Sequence, residues 1–404
     1  MPIIFKNNYL PIYAIFITIS LMSILSPIKF FIKDSRATGV LLIGCTAVSL
    51  LLSQGAWGND YIAFWGRKFT THSTAINLPD NLLHCINDIL MSVFFFSAGL
   101  EIKREVLTGE LNTLKKALMP AISAAGGMLL PAIIYAACCH NKETFMGWGI
   151  PMATDIAFSL GVLSLLGRRA PLSMRIFLTA IAIIDDIGGI LTIAVFYAAH
   201  LYWLYMGLAT MTVILLLVLN YLRVTRLSPY LLAGLLLWYF IYNSGINPTI
   251  AGVILACTIP SAAIHKLEQG LRIPVNFIIL PLFALANTAM ALPHDIPAII
   301  TAQVHYGIFL GLLVGKPIGI FLATYAALKL KIAAIPLNIT MKQVFGIGII
   351  AGIGFTVSIF ITMLAFSDTQ TQFVAKLAVI NASVCSGIAG YCFLRFTNRK
   401  QYGN

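Results

Sequence analysis

Long apolar runs, each bounded by a short polar or basic cluster, divide the chain from end to end. A helix needs roughly 20 mostly apolar residues to cross the hydrocarbon core of a bilayer. By that measure spans are expected near 37–54, 82–107, 117–138, 150–166, 173–199, 203–222, 230–244, 246–260, 274–293, 307–330, 343–364 and 373–395. The block from 230 to 260 is interrupted by Asn243-Ser244-Gly245 and Asn247-Pro248, a turn signal that splits it into two shorter helices. The pattern therefore predicts an all-α membrane protein of about twelve transmembrane helices. Residues 62–80 break it, with β-branched and aromatic positions among polar ones. They predict a small external β-hairpin, whose edge could pair with a second copy of the chain.

Residues 1–31 form a separate N-terminal extension ahead of one membrane domain over 32–404. Within the extension, 9–27 is apolar and about long enough to cross. An extra span, an interfacial helix and a signal-like segment all fit it. A cleavable signal fits least, because the run leads into Lys29, Lys33 and Arg36 with no small-residue cleavage site. A membrane-associated helix outside the core is the favoured expectation.

Composition agrees with the pattern. Hydrophobic residues make up 59% of the chain and charged ones only 10%, against about 25% in soluble domains. The net charge of +12 lies in short clusters between apolar runs, with no basic stripe of the kind that binds nucleic acid. Counted over alternate loops, 17 Lys and Arg fall on one side of the membrane and 4 on the other, so the first side is cytoplasmic. The seven cysteines lie in apolar stretches without metal-ligand spacing and read as small hydrophobes.

Charge inside the spans carries the chemistry. Of the 14 carboxylates, four fall well within spans: Asp88, Asp155, Asp185 and Asp186. One cation, Lys316, joins them. Each costs about 2.5–3.5 kcal/mol at a helix centre unless it pairs, titrates or meets water. A purely structural ion-pair network needs one base per acid, and here acids outnumber the base. Asp185 and Asp186 are adjacent, so their side chains point about 100° apart on a helix. Two carboxylates about 4 Å apart repel by about 4 kcal/mol at an effective dielectric of 20. At neutral pH such a pair holds a proton unless a cation lies close, either Lys316 or a small hard metal ion. Sodium ions and protons then compete for the same oxygens.

Two spans are internally broken. Residues 147–161 contain Pro151 before Thr154-Asp155, and 346–358 contain Gly346, Gly348, Gly352 and Gly354. Half-helix ends left at membrane depth carry partial charge, positive at N-termini and negative at C-termini. Asp155 could neutralise the first and Lys316 the second. The breaks fall in spans 4 and 11, each the middle member of a three-helix group. That spacing predicts inverted three-helix repeats around two discontinuous crossing helices.

These stretches resemble the NhaA family of sodium/proton antiporters: residues 148–158, AIIDDIGG at 182–189, GKPIG at 315–319, 351–360, CINDILMSVFF at 85–95, GLEIKRE at 99–105, SGINPTIAGV at 244–253 and LPLFALAN at 280–287. The resemblance runs from about residue 32 to about 396. It implies electrogenic exchange of cytoplasmic Na⁺ or Li⁺ for external protons by alternating access, in a bacterial inner membrane, for pH and sodium homeostasis. It needs no cofactor, and the protein is expected not to be an enzyme. Asp186 is implied as main cation and proton ligand, and Asp185 as the partner of Lys316. Thr154, Asp155, Lys316, Gly352 and Gly354 are implied as dipole-compensating and structural residues of the crossing. Asp88 is implied in an access route, and Glu101, Arg104, Glu105 and Glu268 in a pH-sensing cytoplasmic funnel. A homodimer through the external hairpin is also expected. The chain departs from the family pattern at Asn247, Gln269 and Arg272, where histidines are common. Losing imidazoles, which titrate near neutrality, should shift or blunt pH activation without removing transport. A channel would not require a lysine beside a vicinal acid pair. An intramembrane aspartyl protease would leave Asp185 and Lys316 without a task. A carrier of organic ions would offer a larger, more aromatic pocket.

Overall fold

The computed structural model describes residues 35–69, 77–197, 201–291, 299–334 and 339–398. The N-terminal extension and residues 70–76 of the expected hairpin lie outside them. Every named element among the described residues is helical. In chain order these are α1 (Ser35–Gln54), α2 (Gly58–Gly66), α3 (Leu82–Leu107), α4 (Leu114–Cys138), α5 (Lys142–Met152), α6 (Ile156–Leu165), α7 (Leu172–Phe196) and α8 (Trp203–Tyr221). They continue with α9 (Ser228–Ser244), α10 (Thr249–Thr258), α11 (Ser261–Asn287), α12 (Gln303–Lys329), α13 (Met341–Ala351), α14 (Phe355–Ala365) and α15 (Thr369–Thr397).

Eight of these helices are each long and apolar enough to cross a membrane. Two further crossings are bent pairs, α5 with α6 at 47° and α13 with α14 at 48°. The chain is a multi-pass membrane protein. That makes ten against the twelve expected, because α9 has 17 residues and α10 only 10, the latter about 15 Å of helix. It starts beyond Gly245, whose φ of +87° turns the chain after α9. It then packs against α3, where Gly252 meets the backbone of Ser92 and Phe96. Close backbone contact between small residues holds helices together where lipid offers no hydrophobic drive.

The ninth expected span begins earlier than its apolar run. Pro274 does not end the helix, because α11 continues through a π turn at Val275–Ile279. A π turn absorbs the hydrogen bond that proline cannot donate. Two more π turns occur, at Cys85–Leu90 around Asp88 and at Gly311–Gly315 before Lys316-Pro317.

The expected hairpin is corrected in its first part. Residues up to Gly66 belong to α2, where Tyr61, Phe64 and Trp65 pack edge to face. What remains of strand pairing among the described residues is one antiparallel bridge, Lys68 with Asn81. Beside it, the His84 imidazole bonds the Asp80 carboxyl at 2.7 Å, and together with Lys68 at 3.4 Å holds it below the usual carboxylate range. The cysteines are also less uniform than expected. Cys139 is buried, whereas Cys257, Cys385 and Cys392 are exposed on the bundle surface.

α7 is the axis of the bundle. Two-thirds of its most apolar stretch (67%) is buried by protein, against 17% for α8 at the periphery. A helix apolar on all sides belongs in the interior. α4 and α12 pack so closely that Gly126 and Gly319 each leave no room for a Cβ against the other's backbone. That contact brings the α12 backbone, and with it Lys316, toward the centre. One large apolar cluster surrounds the two breaks, and a second joins α8, α9 and α10 to α3.

Candidate functional site

The two bent pairs cross at their breaks, and the crossing is stitched by reciprocal bonds. The Ser159 hydroxyl of α6 donates to Ile350 O at 3.2 Å, and the Ser358 hydroxyl of α14 donates to Ile150 O at 2.7 Å. Asp155 N donates to Ile353 O at 2.7 Å. The glycines allow the approach. A Cβ on Gly352 would meet Leu312 O at 2.5 Å, and one on Gly354 would meet Ala153 O at 2.9 Å.

One carboxylate serves two helix starts. Asp155 is the N-cap of α6, its Oδ1 accepting from Phe158 N at 2.9 Å. Its Oδ2 accepts from Thr356 N at 3.1 Å and from the Thr356 hydroxyl at 2.8 Å, in the first turn of α14. The first N–H groups of a helix have no partner of their own, and both sets find one here. At the opposite polarity, the Lys316 ammonium donates to Met152 O, the last residue of α5. Lys316 also lies 2.9 Å from Asp185 Oδ2, with both side chains fully buried. The Thr154 hydroxyl is within 2.7 Å of that same Asp185 oxygen and 3.0 Å of Ala351 O. Having a single proton, it donates to one of them at a time.

Neighbouring residues on α7 thus meet different surroundings. Asp185, 0% exposed, turns to Lys316 and Thr154. Asp186, 6% exposed, turns to a cavity of about 600 Å³. That funnel runs from Asp186, Thr154, Asp155 and Thr356 past Glu101 to Arg104, Glu268, Gln269 and Arg272. At its mouth Arg104 lies 2.8 Å from both Glu105 and Glu268. The Oδ1 atoms of Asp185 and Asp186 are both buried without a hydrogen-bond partner. A buried carboxylate oxygen left bare is costly unless something else binds it.

The residues expected to act together fall into two groups. Thr154, Asp155, Asp185, Asp186, Lys316, Gly352 and Gly354 meet at the crossing. Glu101, Arg104 and Glu268 line the funnel, while Glu105 pairs with Arg104 but faces a second cavity. Asp88 stands apart, in the π turn of α3, where its backbone carbonyl accepts from Ser92 and Trp238. Of the departures, Asn247 accepts from Thr249 N at 3.0 Å and fixes the turn before α10, while Gln269 bonds His265 at 2.9 Å. Sequence reasoning missed Thr356 as a partner of Asp155, and Ser159 and Ser358 as the stitches. A signal for the serines exists: each lies four residues beyond its break, after Asp155 and after Gly354.

Helices broken at mid-membrane around buried acids, with an aqueous route from one side, are the architecture of a membrane ion transporter. The family model described as "Na+/H+ antiporter 1" matches residues 29–394, and the chain belongs to that family. Among similar proteins is one named Na(+)/H(+) antiporter NhaA 2 from Flavobacterium johnsoniae, 46% identical, covering 92% of this chain and 93% of the relative. Proteins named Na(+)/H(+) antiporter NhaA are 44% identical in Cytophaga hutchinsonii (95% and 98% covered) and 39% identical in Brucella ovis (94% and 97%).

Proposed function

We propose that the chain exchanges cytoplasmic Na⁺ or Li⁺ for external protons, with Asp185 and Asp186 binding metal ion and proton in turn. One observation carries the proposal: an unpartnered carboxylate, Asp186, forms the floor of a funnel whose other end holds the charged cluster at Arg104. Among the described residues no three His, Cys, Asp or Glu converge. A sodium ion at Asp186 would therefore complete its shell with Asp185, the Thr154 hydroxyl, carbonyls and water. Such a sparse oxygen set suits cargo that must leave again.

The exchange follows from charge. With protons bound, Asp186 is neutral and Lys316 holds Asp185. An arriving sodium ion displaces the proton on Asp186 and draws Asp185 away from the lysine. Lys316 then releases a proton in turn, so more protons than sodium ions move and the exchange is electrogenic. Asp155 and Lys316 balance the half-helix ends throughout. The inverted repeats, alternating access, and a role in pH and sodium homeostasis at the bacterial inner membrane belong to the same proposal. So do an access role for Asp88, pH sensing at Glu101, Arg104, Glu105 and Glu268, and a homodimer through the external segment. The missing imidazoles at Asn247, Gln269 and Arg272 should alter the pH profile rather than the exchange.

The test uses acid-loaded everted vesicles with a fluorescent pH dye. Sodium or lithium should dequench the dye through the wild-type chain, and Asp186→Asn should abolish the signal. Undiminished dequenching in that variant would remove the site assignment.

A further inference from the structure

A second cavity, of about 300 Å³, lies on the flank of the bundle, separate from the crossing. Its floor is a single stripe of α7: Leu172, Arg175, Ile176, Thr179, Ala180 and Ile183. Their spacing of three, one, three, one and three places them on one face. From Leu172 to Ile183 the stripe is about 16 Å long at 1.5 Å per residue. One leaflet's share of a ~30 Å hydrocarbon core is about the same. Leu172 at the upper end is 71% exposed, so the groove is open at its rim.

The charged groups collect at that end only. Arg175 comes from the first turn of α7, Glu105 from the last turn of α3, and Glu110 from the loop that follows. This is the side of the membrane with the excess of Lys and Arg, the level of the cytoplasmic headgroups. The Arg175 Nε is buried and has no hydrogen-bond partner. Glu105 is engaged by Arg104 at 2.8 Å, whereas Glu110 is 49% exposed and only 4.0 Å from Lys116.

We propose that this groove holds one aminophospholipid of the cytoplasmic leaflet, with an acyl chain along the α7 stripe, its phosphate on Arg175 and its ammonium toward Glu110. The planar guanidinium fork matches a phosphate, and among the described residues no carboxylate forms an ion pair with it. A purely anionic headgroup would set a further negative charge beside two glutamates. A choline headgroup has no N–H to donate to them. The bound lipid would back the helix that carries the acid pair, since Ile183 at the foot of the stripe is two residues before Asp185. Leu160 lines both this groove and the funnel, so it is the wall between lipid and water.

The full-length protein, carrying a photoreactive residue at position 179, is reconstituted in vesicles of equal parts phosphatidylethanolamine, phosphatidylglycerol and phosphatidylcholine. After irradiation the adducts are identified by mass spectrometry. One phosphatidylethanolamine per chain is expected, in clear excess over the other two lipids. Arg175→Gln should reduce that adduct about tenfold, the loss of one charge-assisted hydrogen bond. Equal adducts of all three lipids, no lipid adduct, or an adduct to the peptide 9–27 would each overturn the proposal. The headgroup preference of the chain with native Arg175 decides the matter even where Arg175→Gln fails to fold.

Discussion

The cytoplasmic and external halves of the bundle treat water in opposite ways. On the cytoplasmic side a 600 Å³ funnel lined by charged and polar groups reaches Asp186. On the external side α7, the helix of Asp186, presents Ile190 and Ile193, packed with Phe95, Thr249, Ile250 and Val253 around a space that admits no water. Phe95 and Phe360 close that side with ring centroids 5.5 Å apart. Asp88 lies beyond this apolar seal, on α3, some 13 residues or about 20 Å of helix from Glu101. The contrast teaches that access is decided by side-chain packing above and below one fixed pair of acids. The funnel opens on the face of the bundle that carries the excess of Lys and Arg.

The contrast can be broken hardest at its centre. Asp155→Ala leaves the Phe158 N–H, the Thr356 N–H and the Thr356 hydroxyl without an acceptor, at about 1–3 kcal/mol each. Loss of a folded monodisperse protein in mild detergent is expected, and a wild-type melting curve would show that the shared cap is dispensable. Lys316→Ala comes next, because a buried ion pair that loses one partner costs about 3–5 kcal/mol. Adding Asp185→Asn should recover much of the lost melting temperature. If the double variant melts no higher than the single one, the pair is not the source of the cost.

Access itself is read by thiol labelling in a cysteine-free background. Ser97→Cys, at a partly exposed position lining the funnel, should react with a membrane-impermeant reagent from the cytoplasmic face at least about tenfold faster than Ile190→Cys, because reaction needs hydrated thiolate. Equal rates would erase the difference between the two halves. The smallest effect is expected at the external rim, where Asp80 is partly exposed. His84 and Lys68 lower its pKa, so its stabilising contribution is present above the ordinary carboxylate range and fades as pH falls through the lowered value. Asp80→Asn should lower the melting temperature slightly at neutral pH and not at all in acid. A difference that grew toward acid would reverse that sign.

Much of this was legible in the residues. The apolar runs located the long spans, because a bilayer imposes a length on them. Pro151 and the glycines at 352 and 354 located both breaks, and the scarcity of intramembrane charge singled out Asp155, Asp185, Asp186 and Lys316. Other features depend on partners distant in sequence. Nothing local says that Asp155 will cap a helix about 200 residues away through Thr356, or that α10 will stop at ten residues against Ser92. Pro274 resembles a helix boundary until the π turn that absorbs it is seen. Residues 62–66 are rich in β-branched and aromatic side chains, yet they continue α2, where Phe64 and Trp65 pack edge to face.

The two serine stitches have a mechanical consequence. Each broken span holds a carbonyl of the other, so neither can slide or tilt without dragging its counterpart. Under the proposed alternating access, a motion that turned Asp186 outward would carry the stitched crossing as one piece, and the apolar contacts around it would be the parts that yield.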